Sequence, residues 1–489
     1  MNKKISDAHK INGSINHLCK QIFFIVKKIR ARKNRIKAAK FVFCYYGSWA
    51  NYRTGAAEAK LEQLNVKLCT HFIYTFVGIN QAGDVKLLDS WLDIDLKALE
   101  RLQNLKKLNP SLKVIVAIGG WNQGSPNFSH VVGNPSTRAR FVQNVFDFVK
   151  KWNVDGFDLD WEYPNQRQGV PADKDNFVLL VKELRAKFDP AGYLLTAAVG
   201  ASKHHRDLSY HVPEVSKYLH FINVMAYDLH YYGEGKIGHN APLYASPVDE
   251  RPELNVFDIM HGWIKDGAAP EKLILGLGFY GRSFSAADAK NHSVGATVYG
   301  PAEAGTYTRE AGSLAYFEIC QNLKDNGWTY GWDDLQKVPY ATKGSQFVSY
   351  DDTKSLALKC DLAKELNLGG VMLWSIEQDD IRNVCGEGHF PLLTFLNEYL
   401  GIKSEGPEFA APTFPPTLTT TRGPTTTRGP TTTFKPGQAG ACGSNGLAAD
   451  VENCTRFYLC GSDGTKYPQQ CAPGTKFDAA RGVCDYGSC

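Results

Sequence analysis

The 489-residue sequence contains no run of about 18 or more apolar residues, so no membrane-spanning helix is expected. It has no Cys-x-x-Cys pair, and its cysteine-dense last 48 residues contain no histidine, which argues against a zinc knuckle there. A basic body is also missing. Residues 1–40 hold nine Lys, three Arg and Asp7, a net of +11, and the whole chain sums to +5, so the remainder carries −6. No nucleic-acid partner is expected from that balance. A clean export signal is absent too: after the short apolar run QIFFIV (21–26), Lys27, Lys28 and Arg30 stand where a small-residue cleavage site would fall. The basic leader, residues 1–39, stays open between a segment without fixed structure and an atypical export or anchoring segment.

What is present divides the chain. Cys442, Cys454, Cys460, Cys471, Cys484 and Cys489 crowd into a loop-rich stretch of low apolar content, the pattern of a disulfide framework made in an oxidising compartment. Before it, 16 of the 23 residues of APTFPPTLTTTRGPTTTRGPTTT (411–433) are Pro or Thr, which reads as an extended, often O-glycosylated linker. The expected organisation is a leader (1–39), a large body (40–400), a linker (401–440) and a small β-type disulfide-rich domain (441–489).

Within the body, short β-rich runs alternate with amphipathic segments. Strands are predicted at 40–46, 71–77, 112–120, 154–162, 193–199, 221–227, 272–280 and 369–376, and helices at 137–152 and 176–188. Several of these strands are almost continuously apolar, as parallel strands buried on both faces must be. Eight such units predict an α/β fold, a (β/α)8 TIM barrel. The stretch 281–368 is too long for one crossover and predicts a small α+β insertion between strands 7 and 8.

The segment DGFDLDWEY (155–163) interleaves Asp158, Asp160 and Glu162 with Phe157, Leu159 and Trp161. A strand period places the three carboxyls inside the barrel and the three apolar residues outside, with Glu162 nearest the C-terminal mouth where barrel enzymes do their chemistry. Neighbouring buried carboxyls raise one another's pKa, and a carboxyl that stays protonated near neutral pH can act as a general acid. No histidine or second acidic cluster accompanies the strand, so neither metal nor cofactor is expected.

This segment matches the DxxDxDxE signature of family 18 glycoside hydrolases, and over residues 40–400 the chain resembles a secreted chitinase of that family. Further landmarks are CYYGSWANYR (44–53), GGWN (119–122), MAYDLH (225–230), GFYGRSF (278–284) and VMLWSIEQDD (371–380). At HYYGEG (230–235) the sequence departs from the Gly-Ser-Trp run expected after the histidine. The resemblance implies Glu162 as general acid, Asp160 orienting a substrate acetamide that serves as nucleophile, Asp158 behind Asp160, and Tyr227 on the acetamide oxygen. It also implies Met225 and Asp228 in that pocket, Trp374 as its floor, and Asn122 beside Trp121 in the cleft. Trp49, Trp121 and Trp374 are expected to stack on sugars, with Tyr45, Tyr52, Tyr163 and Tyr280 as weaker candidates. Arg282 is either an ion-pair former or a ligand contact, Glu310 a solvated loop residue, and Trp161 core packing.

The cysteine-rich tail resembles a peritrophin-type chitin-binding domain, carbohydrate-binding module family 14. That resemblance implies the pairs Cys442–Cys460, Cys454–Cys489 and Cys471–Cys484, and Phe457, Tyr458, Tyr467 and Tyr486 divided between core and sugar contact. In the body it implies Cys44–Cys69 and Cys320–Cys385, leaving Cys19 and Cys360 unpaired. Asn127, Asn291 and Asn453 lie in N-x-S/T sequons, which matter on export. The expectation is a secreted, monomeric, endo-acting chitinase that binds chitin and its oligosaccharides. Two rivals remain: a non-hydrolytic chitin-binding lectin of the same fold, in which the terminal glutamate of the motif is typically replaced, and an endo-N-acetylglucosaminidase, which has no need of the tail.

Overall fold

A computed structural model describes residues 41–402 and, near the C-terminus, residues 447–449, 454, 456–460, 466–470, 475–478 and 483–486. The chain divides into two units between Thr417 and Leu418. The leader, nearly all of the linker and Cys19 lie outside the described residues.

Eight parallel strands form the body: β1 (Phe41–Gly47), β2 (His71–Ile79), β3 (Lys113–Gly119), β4 (Gly156–Asp160), β5 (Leu194–Gly200), β6 (Phe221–Met225), β7 (Leu273–Gly278) and β8 (Gly370–Trp374). Neighbours pair in chain order, and β1 pairs with both β2 and β8, so the sheet closes. This is the (β/α)8 barrel. Its strands are buried almost throughout because helices cover the outside and side chains fill the inside. The predicted helices occur at Pro135–Trp152 and Asp173–Phe188, each turning its apolar stripe to the barrel. Between β1 and β2 the chain makes four short 3-10 turns instead of a covering α-helix.

Six antiparallel strands between Tyr280 and Ser349, with the helix Tyr316–Asp325, form the insertion between β7 and β8. The expected span of 281–368 is therefore too long. Asp352 caps a helix at Thr353–Glu365, and this helix packs on β8 as the barrel's own crossover. Disulfides join Cys44 to Cys69 and Cys320 to Cys385, while Cys360 is a buried free thiol.

The C-terminal unit has a three-stranded antiparallel sheet (Leu447–Ala449, Arg456–Cys460, Lys466–Gln470) and a two-stranded one (Thr475–Asp478, Val483–Tyr486). Cys454 is disulfide-bonded. Cys460 and Cys484 stand on these strands. Their side chains, the aromatic side chains at 457, 458, 467 and 486, and Cys442, Cys471 and Cys489 lie outside the described residues, and with them the expected pairings of this unit.

Candidate active site

The acidic strand sits where the barrel geometry requires. Asp158 is level with Ala117 of β3 and Thr196 of β5, and Asp160 with Gly119. The strand stops at Asp160, so Glu162 stands on the turn beyond it and not within a strand over 154–162. The glycine pair at the end of β3 makes this exit possible. At Gly119 (φ +115°) a Cβ would lie 2.1 Å from the Asp160 carbonyl, and the Gly120 N–H donates to that carbonyl at 2.8 Å. On the outer parity Trp161 is buried, stacks on Phe128 at 5.1 Å and donates its indole N–H to Ser125 Oγ at 2.9 Å.

Inside, the carboxyls form a ladder of unequal neighbours. Asp158 is fully buried and well supplied with donors: Tyr45 OH at 3.0 Å on Oδ2, with Thr196 Oγ1 and, at 3.4 Å, Asn223 Nδ2 on Oδ1. Burial nevertheless pushes its pKa up to about 6, against those donors. Asp160 Oδ1 is buried with no hydrogen-bond partner among the described residues. Burial first, then the charges of Glu162 and Asp158, hold Asp160 well above the usual carboxylate range. Burial raises Glu162 to about 7, although a hydrogen bond with Tyr163 and the charge of Arg167 pull the other way. The Asp160–Glu162 pair thus keeps a proton at neutral pH, and an acceptor oxygen stands beside it unused.

Aromatic rings make the floor. The Trp374 ring lies 5.9 Å from Tyr45, 6.1 Å from Trp49 and 5.8 Å from Phe76, the last two stacked with each other at 6.3 Å. Trp49 and Trp121 are 41% and 60% exposed, so flat apolar surface is offered at the mouth. Tyr227 is buried, edge-on to Tyr280 at 6.0 Å, with its hydroxyl 3.8 Å from Met372 Sδ of β8. Asp228 (φ +56°) accepts from Tyr280 OH at 2.5 Å and from two nitrogens of Arg282 at 2.7 Å each.

The sequence model of a family described as Glycosyl hydrolases family 18 matches residues 41–379, and that of the Chitin binding Peritrophin-A domain matches residues 442–489. The chain belongs to glycosyl hydrolase family 18. Similar proteins include probable chitinase 2 of Drosophila melanogaster, 44% identical over 71% of this chain and 73% of that one. The endochitinase of Manduca sexta is 39% identical over 76% of this chain and 70% of its own. Among solved structures, the Ostrinia furnacalis Group IV chitinase in complex with allosamidin is 41% identical with a TM-score of 0.73, covering 75% of this chain and 100% of that one.

The other residues expected from sequence stand as follows. Tyr45, expected as a sugar contact, is 1% exposed and spends its hydroxyl on Asp158. Arg282 is paired bidentately with Asp228, as one of its two expected readings has it, with Glu310 at 4.0 Å. Met225 closes β6 half-buried, Asn122 is exposed beside Trp121, and Tyr163 lies against His205 at 4.3 Å. Tyr52 is exposed and donates to Asp89 at 2.7 Å. In the departing HYYGEG segment, His230 sits between Glu234 at 2.9 Å and Asp249 at 3.1 Å. Burial alone would lower its pKa, but the two carboxylates raise it to about 9.

Sequence reasoning missed Thr196, Asn223, Phe76 and Arg167. The first two had a visible signal: single polar residues inside the otherwise apolar runs YLLTAAV and FINVMAY. Among the described residues the one cluster with metal-ligand spacing is Cys320, Asp380 and Cys385, whose two sulfurs are already joined.

Proposed function

We propose that this family 18 hydrolase is an endo-acting chitinase that cleaves β-1,4 linkages between N-acetylglucosamine units with Glu162 as general acid and base. The observation that carries the reading is the buried Asp160 Oδ1, without a partner among the described residues, two positions before Glu162, whose carboxyl burial raises to about 7. An unsatisfied buried acceptor costs free energy in the free protein, and an amide N–H of the substrate would relieve it. An N-acetyl sugar supplies that N–H. Held by Asp160 below and Tyr227 at its carbonyl, the acetamide can attack the anomeric carbon while Glu162 protonates the departing oxygen. Asp160 then stabilises the positive oxazolinium ion, with Asp158 behind it. Glu162, now ionised, draws a proton from the water that opens the ring.

Names of the relatives, chitinase and endochitinase, agree with this substrate. Residues 40–400 perform catalysis, the Pro/Thr-rich stretch acts as a tether, and residues 441–489 hold the enzyme on solid chitin, Trp49, Trp121 and Trp374 giving the cleft its sugar platforms. Chitin lies outside cells, and the disulfides agree with secretion. The lectin alternative loses ground because Glu162, Asp160 and Asp158 are all intact.

The test is Glu162→Gln assayed on N-acetylchitohexaose. An amide cannot donate the proton, so kcat should fall by about 100-fold or more while the oligosaccharide still binds. Near-normal kcat would exclude Glu162 as the acid.

A further inference from the structure

The loop that leaves the acidic strand holds three non-glycine residues in the left-handed region within four positions: Asn165 at φ +62°, Arg167 at +50° and Gln168 at +68°. Such conformations persist only where the surroundings over-determine them. Here they are fixed on both sides. Asn165 Nδ2 donates to the Leu208 carbonyl at 3.2 Å and Gln166 Nε2 to Ser209 Oγ at 2.7 Å. Asp173 Oδ2 accepts the backbone N–H groups of Asn165 at 3.2 Å and Val170 at 2.8 Å.

The clamped loop delivers one side chain to the mouth of the barrel. The Arg167 guanidinium carbon lies 3.6 Å from the centre of the Trp121 ring, a face-on stack. Its Nη1 donates to the Trp121 carbonyl at 2.7 Å and to the Glu162 carbonyl at 3.0 Å. A single planar cation therefore ties an indole to the backbone of the acid. Trp121 is 60% exposed on a three-residue 3-10 turn, and among the described residues Arg167 is the one cation or ring found against its indole. An unbraced indole would have to be ordered when a sugar arrives, which weakens binding.

We propose that Arg167 is a positioning residue that braces Trp121 as a ready-made sugar platform and locks that platform to the backbone of Glu162. The proposal rests on the roles given above to Glu162 and Trp121. It separates two properties of arginine. The flat guanidinium covers the ring face while its Nη1 bonds both carbonyls, which a lysine's point-like ammonium reproduces less well, whereas the positive charge acts on the Glu162 carboxyl, which a lysine can also do. Because that charge lowers the Glu162 pKa, its loss should move the alkaline limb of activity to higher pH.

The experiment compares full-length wild type, Arg167→Ala, Arg167→Lys, Trp121→Ala and the Arg167→Ala/Trp121→Ala double variant on N-acetylchitohexaose, with thermal melts to confirm folding. Both Arg167 variants should raise KM by about three- to tenfold with kcat held within about twofold. In the Trp121→Ala background, removing Arg167 should add less than about twofold, since the two act as one unit. The alkaline limb should move up in Arg167→Ala and stay in place in Arg167→Lys. Should Arg167→Ala fail to fold, the lysine variant alone decides: wild-type KM overturns the proposal. So do additive effects of the two positions. If Trp121→Ala itself leaves KM unchanged, the platform reading of Trp121 fails and takes the proposal with it; an active Trp121 position with a silent Arg167 overturns the proposal alone.

Discussion

The Tyr45 hydroxyl donates to Asp158 Oδ2 at 3.0 Å while accepting from Asn223 Nδ2 at 2.7 Å. With Thr196 on its other oxygen, the deepest carboxyl of the ladder is tied to strands β1, β5 and β6 at once, while Oδ1 of the one above it has no partner among the described residues. That inequality divides the labour of the site. Asp158 is held, and Asp160 is available.

Tyr45→Phe should therefore act on the ladder and not on the sugar cleft. It removes a donor from Asp158 and an acceptor from Asn223, both buried, at a cost of about 1–3 kcal/mol in stability. Asp158 loses a contact that favours its charged form, so its pKa rises further. The expected result is kcat lowered about tenfold with KM for N-acetylchitohexaose little changed. A large KM effect with normal kcat would mean that Tyr45 contacts sugar directly.

The pH dependence follows from the raised pKa of Glu162. A carboxyl at about 7 in the folded protein and near its ordinary value when unfolded holds a proton that the unfolded chain releases. Its contribution to stability is complete below about pH 4 and is lost as pH rises through about 7. Glu162→Gln removes this loss. Melts of the variant and wild type should coincide near pH 4, with the variant more stable at pH 8 by about 1–3 kcal/mol. A variant less stable at pH 8 would contradict the burial argument. Activity has the same sign, since the acid is spent once pH passes about 7.

The stereochemistry tests the nucleophile. Attack by the acetamide and opening by water each invert the anomeric carbon, so the first product should retain the β configuration. Proton NMR of N-acetylchitohexaose cleavage reports the anomer before mutarotation. An initial α product would mean direct attack by water. Asp160→Asn should slow cleavage by about 100-fold or more, because it removes the charge that stabilises the cationic intermediate.

Cutting the chain near Gly406 should leave hydrolysis of short soluble oligomers unchanged and weaken pelleting with insoluble chitin. A tethered module raises local concentration without adding chemistry. Equal pelleting of the two forms would remove the chitin-holding role from residues 441–489.

The eight strands, the parity of Asp158 and Asp160 and the burial of Trp161 on the outer side were legible in the sequence, because hydrophobic periodicity and a dense acidic motif are local signals, whereas the end of the strand before Glu162 was not. The eightfold alternation also implied closure. Other features arise only when distant segments meet. The donors to Asp158 come from residues 45, 196 and 223, and no local pattern announces that three strands converge on one carboxyl. Tyr45 looked like a sugar contact until the barrel buried it. The unused oxygen of Asp160 and the stack of Arg167 on Trp121 likewise depend on a backbone path that the sequence does not spell out. The sequence by itself determined which groups this protein has for its chemistry and on which face of each strand they stand. Tertiary structure decided which of them are satisfied and which are left free, because desolvation and hydrogen bonding are set by neighbours far away in the chain.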